Sequence, residues 1–211
     1  MSWSEQAEAA VRRYEGGRER ELDQRQLTQL ANAAWAAGMC LLMDGRRDDA
    51  ARWLRQAAMR YHESWSLAPP DSWGRPIAAM KALLLASGDA RSTANWSLEK
   101  GAARSESPIG RYAGTLALLV LGRDEEARAL ASTLRERHDF PRDVADALAT
   151  VAASDRVGYL VAVEDVLESF EQREEFLEDV AVADTVLVLQ ILAAARECAV
   201  DLPRSSRLPS P

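Results

Sequence analysis

Two histidines, two cysteines and a dense run of carboxylates are where chemistry is to be sought in this chain of 211 residues. A nucleophilic triad needs a serine or cysteine on a strained turn with a histidine in reach. His62 and His138 each fall near the end of a predicted helix, where a partly protonated imidazole bonds free carbonyls. Helix-end capping or solvent exposure is the expectation for both. His138-Asp139 with Asp143 or Asp146 could meet by helical proximity, but hard ligands without a second histidine or a cysteine make a poor metal set. Cys40 and Cys198 stand in separate apolar runs without C-x-x-C or metal-ligand spacing, so two buried reduced thiols are expected, as in a cytoplasmic protein. No glycine-rich phosphate cradle is present. The expectation is therefore no catalytic residue, no metal and no cofactor.

The carboxylates crowd into Glu164–Asp184. Acid–base catalysis needs one carboxyl in an apolar pocket and one in water. Glu164, Asp165, Glu168, Glu171, Glu174, Glu175 and Glu178 fall instead on the outward face of one expected helix, all of them solvated. Of these, Glu171, Glu174, Glu175 and Glu178 are candidates for steering a basic protein partner. Asp179 reads as a cap of the last helix and Asp184 as a first-turn acid at its positive end. Trp73 and Arg75 sit in the stiff loop Ser66–Pro76, SLAPPDSWGRP. An aromatic ring and an arginine so held are an interface anchor, unless the loop tucks the indole beneath itself. Trp35, Trp53, Trp65 and Trp96 read as filler between helices. A second reading places a pocket between hairpins, lined by Trp53, Tyr61 and Trp96, in an all-α small-molecule binder or enzyme.

Such groups must be positioned by helices. Ala, Leu, Glu and Arg dominate, and aromatic residues are only 6%, which points to an all-α protein. The formal charge of −7 is uneven: residues 1–105 carry 15 basic and 13 acidic side chains, residues 106–211 carry 11 and 20. That acidic half argues against a nucleic-acid partner. The most apolar run, Val180–Ala195, is broken by Asp184, Thr185 and Gln190 and is too short to span a bilayer. No signal peptide opens the chain, since Met1–Arg13 is polar where an apolar stretch would stand. A cytoplasmic protein off the membrane is expected.

Caps and breakers mark the elements. Ser2-Trp3-Ser4-Glu5 spaces a capping box for a helix through Tyr14. Helices are then expected over Arg18–Met43, Asp48–His62, Ile77–Ala86 with Pro76 at its start, and Arg91–Lys100. A hairpin over Gly114–Leu134 ends near His138, and helices follow from Phe140-Pro141 to Ala153, over Asp155–Leu177 and over Val182–Cys198. The last is apolar nearly all round, so other helices must cover it. One helical domain over 1–200 is expected, in parts 1–65 and 76–200, with 201–211 as a Pro/Ser-rich loose tail or extended strap.

Gly45, Gly88 and Gly122 each follow an apolar helix and precede a charged start, at spacings of 43 and 34 residues. Small residues follow five positions on (Ala50, Thr93, Ala127) and large ones eight positions on (Trp53, Trp96, Leu130). A small residue lets paired helices approach and a large one fills the groove to the next pair. Glycine, charge and alanine in GRDEEA at Gly122–Ala127, with Gly38 seven residues before Gly45, resemble the tetratricopeptide repeat over about Ala31–Phe140. The irregular period makes the chain tetratricopeptide-like rather than a member. The resemblance implies about 9–11 helices in antiparallel hairpins, stacked as a short right-handed solenoid or a compact array. FPRDVADAL at Phe140–Leu148 and FLEDVAVADTVLVLQILAAAR at Phe176–Arg196 are similar to the immunity protein 49 family of actinobacterial polymorphic toxin systems. That resemblance implies a non-enzymatic protein that neutralises a toxin, here a basic toxin domain, by binding it. A homodimer closed through the last helix is the third possibility.

Overall fold

The expected capping box is formed: the Ser2 amide donates to Glu5 Oε2 at 2.7 Å and the Glu5 amide to Ser2 Oγ at 3.3 Å, starting α1 at Trp3–Gly17. The computed structural model describes residues 1–17 and 22–210. The expected helix start at Arg18–Glu21 lies outside the described residues. Leu22 precedes Asp23, whose carboxylate caps α2 (Gln24–Met43) by accepting from the Arg25 and Gln26 amides. The remaining helices are α3 (Arg47–Ser66), α4 (Gly74–Leu85), α5 (Arg91–Glu99), α6 (Pro108–Val120), α7 (Asp124–Arg135), α8 (Arg142–Ala152), α9 (Arg156–Glu171) and α10 (Asp184–Ala194). These ten α-helices, with no strand among the described residues, make an all-α protein.

Four helices differ from expectation in their bounds. Helix α3 runs on to Ser66 and α4 starts at Gly74, which shortens the loop between them. Helix α9 stops at Glu171 rather than continuing to Leu177. Its C-terminal carbonyls are the negative end of the helix dipole, and further glutamates there would raise the repulsion. Helix α10 starts at Asp184 with Ala183 as its cap residue, so Asp179 does not cap it; Asp179 lies in a 3-10 turn at φ 58°.

One turn recurs down the chain. After α2, α4, α6, α8 and α10 a residue takes positive φ: Gly45, Ser87, Gly122, Ser154 and Glu197. In each case the following amide reaches back five residues to a helix carbonyl. Arg46 donates to Leu41 (2.9 Å), Gly88 to Leu83 (2.8 Å), Arg123 to Leu118 (2.9 Å), Asp155 to Thr150 (3.0 Å) and Cys198 to Ala193 (3.0 Å). This is the Schellman closure of a helix C-terminus. The middle turn therefore pivots on Ser87, one residue before the expected Gly88. Thr93, the expected small residue there, is buried, and Ala94 beside it, whose amide donates to the Ala90 carbonyl as that of Ala127 does to Arg123, is fully buried.

The chain divides into two compact units: Met1–Gly88 with Arg173–Val182 and Arg204–Pro211, and Asp89–Gln172 with Ala183–Pro203. In unit 1, α2 packs between α1 and α3, and α3 packs on α4. Gly38 lets α3 approach α2, since a Cβ there would lie 2.7 Å from Leu54 Cγ. Near the end of the described residues the Arg207 guanidinium lies 4.8 Å from the centre of the Phe176 ring, which ties this segment to unit 1. In unit 2 successive helices from α5 to α9 pack pairwise, and α10 lies on α8 and α9. Tyr159 on α9 donates its hydroxyl to Gln190 Oε1 at 3.0 Å, and Gln190 Nε2 donates to the Val200 carbonyl at 2.6 Å. Arg196 closes the unit. Its side chain, 7% exposed, pairs with Asp124 and donates to the carbonyls of Leu119 (2.7 Å) and Leu192 (2.9 Å).

Candidate functional site

Helix α9 carries the acidic candidates. Tyr159, Ala162, Val163, Val166, Leu167 and Phe170 turn inward and are buried. The opposite stripe, at helical spacing, begins with Val157, Leu160 and Val161, which are 79%, 37% and 59% exposed. It continues with exposed Glu164, Asp165, Glu168 and Glu171. An apolar patch thus runs straight into four carboxylates along one helix face of about 21 Å, from a rise of about 1.5 Å per residue. Helical spacing puts Leu160 inward with Tyr159 and Val163, yet it is 37% exposed; a valine–leucine run on a helix reads as core whichever way it turns.

The other sequence candidates divide differently. Glu174, Glu175 and Glu178 are not on α9; they lie beyond its end, in the segment grouped with unit 1. Glu174 and Glu175 are exposed, while Glu178 pairs with Arg13 of α1 at 3.2 Å. Trp73 is buried at 5% exposure, its Nε1 donating to Asp71 Oδ1 at 3.1 Å and its ring centre 5.9 Å from that of Trp65. The loop has tucked the indole beneath itself, the second of the two arrangements open to it. Arg75 reaches inward too, donating from Nε to Ser64 Oγ at 2.8 Å and pairing with Gln24 through Nη2. Burial lowers its pKa. Both residues hold α4 against α2 and α3.

The residues of the pocket reading belong to two units. Tyr61 is buried and donates to Asn32 Oδ1 at 2.7 Å. Trp96 lies on α5 of unit 2, and half-buried Trp53 lines an open groove with Tyr14 in unit 1.

Cys40 and Cys198 are free and buried, and burial pushes the Cys40 thiol up to about 11 and raises that of Cys198. Burial lowers the His62 pKa. Asp139 is held by Arg137 at 2.6 Å, and Asp146 pairs with Arg135 and Arg142. Among the described residues no cluster of three His, Cys, Asp or Glu could hold a metal ion. No helix is long and apolar enough to cross a membrane, among the described residues. On α10 the buried side chains take up most of the apolar surface, and Ile191 is its one large apolar residue with substantial exposure. No protein-family model, curated protein or solved structure matches the chain.

Proposed function

We propose that this is a non-enzymatic protein-binding protein whose α9 face receives a basic protein partner. The observation that carries the reading is the continuous stripe of exposed Val157, Leu160 and Val161 followed by Glu164, Asp165, Glu168 and Glu171. Apolar side chains left in water at the start of an acidic face supply a desolvated centre, and the carboxylates supply the charged rim and long-range steering. The excess of 20 acidic over 11 basic residues in the second half of the chain gives that field its sign.

The similarity of Phe140–Leu148 and Phe176–Arg196 to the immunity protein 49 family makes the partner a toxin domain, neutralised in the cytoplasm by occlusion of its active site. The recurrence of one turn after α2, α4, α6, α8 and α10 supports a tetratricopeptide-like stacking of hairpins as the scaffold.

The test uses the product of the reading frame beside this gene as the binding partner, by calorimetry at low and high salt. Complex formation is expected to weaken at least about tenfold in a variant with Glu164, Asp165, Glu168 and Glu171 all changed to lysine. Val161→Ser, which adds no charge, is expected to weaken it without changing the salt dependence. Affinity and salt slope unchanged in both variants would overturn the reading.

A further inference from the structure

Unit 1 carries a groove of the opposite character to the α9 face. Helices α1 and α3 both pack on α2, and the gap between them is floored by Val11, Leu41 and Trp53. This depression of about 370 Å³ shares Arg52 and Trp53 with a neighbour of about 490 Å³, bounded by Tyr14, Gln56 and Arg60. Arg52 and Trp53 line both depressions on the α3 side. Trp53 is half-buried and fixed edge-on against Tyr14, with ring centres 5.3 Å apart at 79°. The Tyr14 hydroxyl in turn accepts from Arg60 Nε at 3.2 Å.

Arginines line the rim, and their own counterions do not balance them. Arg46 and Arg52 share the single carboxylate of Asp49. Arg12 meets Glu8 only at 3.8 Å, both side chains 69% exposed. Arg52 pairs with Asp49 through Nη2, and its side chain is 72% exposed, so the Nε and Nη1 hydrogens remain as separate donors beside the indole. Each can give a carboxylate one charge-assisted hydrogen bond.

We propose that this groove binds a short acidic peptide segment of a partner protein, one carboxylate on Arg52 and an adjacent large apolar side chain on Trp53. From Arg46 to Arg60 the rim extends about 21 Å at about 1.5 Å per residue. That length suits about six residues of extended chain, whose alternate side chains meet floor and rim in turn. Glu8, Asp49 and Glu63 interleave with the arginines, so the rim is not the uninterrupted positive track a phosphate backbone needs, whereas a peptide can set its apolar side chains opposite those carboxylates. The site is in a different unit from α9 and of opposite charge preference, so it stands or falls apart from the function proposed above.

The experiment is fluorescence anisotropy of the full chain with labelled peptides of about eight residues. One set alternates Asp or Glu with Phe or Leu, a second replaces every acid by lysine, and an oligothymidylate of similar length is the third probe. Saturable binding of the acidic set alone is expected. Arg52→Ala, at an exposed side chain, is expected to weaken it about tenfold, whereas Arg91→Ala in unit 2 leaves it unchanged. Acidic peptides bound no more tightly than lysine peptides or oligothymidylate, or affinity unchanged in Arg52→Ala, would overturn the proposal.

Discussion

Replacing Arg196 by methionine tests whether the C-terminal segment is the latch of unit 2. The guanidinium donates to Asp124 Oδ1 from Nε at 3.0 Å and also from Nη2, to the Leu119 carbonyl at 2.7 Å and to the Leu192 carbonyl at 2.9 Å. It thereby ties the last turn of α6, the first of α7 and the end of α10. Methionine keeps much of the aliphatic volume and removes every donor. Hydrogen bonds to a charged group are worth about 1.5–3 kcal/mol each and are not additive, and breaking a buried pair costs about 3–5 kcal/mol. The Asp124 side chain is 36% exposed and regains water when its partner goes, which lowers that figure. The expected loss is about 2–4 kcal/mol, or about 5–15 °C in melting temperature for a chain of this size. Because the chain divides into two units, a single melting curve can hide the effect. Amide exchange followed peptide by peptide resolves it: α6, α7 and α10 should lose protection together while α1–α3 keep theirs. Asp124→Asn, which keeps an acceptor, should cost less. A loss below about 1 kcal/mol in Arg196→Met would refute the latch.

Further outcomes follow from single contacts. Ser97 is fully buried with no hydrogen-bond partner for its Oγ among the described residues, so Ser97→Ala should stabilise by about 1 kcal/mol in urea unfolding. Gly114→Ala would place a Cβ 2.7 Å from the Ala103 backbone, which cannot swing aside as a side chain can, so a loss of about 1–3 kcal/mol is expected despite alanine's better helix propensity. Glu5 is held below its ordinary pKa by the Ser2 amide, Asp49 by Arg46, Glu126 by Arg123 and Asp139 by Arg137. Because their folded pKa values lie below the unfolded ones, their stabilisation is present above the ordinary carboxylate range. It is lost as the pH falls through the folded values, so melting temperature should drop between about pH 5 and pH 3. Cys40 is fully buried with a thiol pKa raised to about 11, so a disulfide reagent at mildly alkaline pH should label it only after urea unfolds unit 1.

The helices were legible because their signals are local. Ser2-Trp3-Ser4-Glu5 closes its own capping box within four residues, and the apolar faces of α6 and α8 repeat at helical spacing. The turn after α2 and α6 was legible for the same reason, since Gly45 and Gly122 announce positive φ. After α4 and α8 the same turn uses Ser87 and Ser154, where a hydrogen bond to the preceding helix outweighs the side chain's reluctance; Gly88 marks the first to within one residue, and no glycine marks the second.

Composition and periodicity alone determined an all-α chain with an acidic second half, because helix propensity and charge belong to residues wherever they sit. Which carboxylates share a surface was decided by tertiary structure. Helix α9 ends at Glu171, and the chain beyond it joins a different unit, where Glu178 meets Arg13. Tertiary structure also buried Trp73 against Trp65, left Val157 and Val161 in water, and gave Arg196 an inward role that a lone arginine after an apolar run does not disclose. Burial depends on what packs against a side chain from far along the sequence, and spacing within one helix carries no record of that.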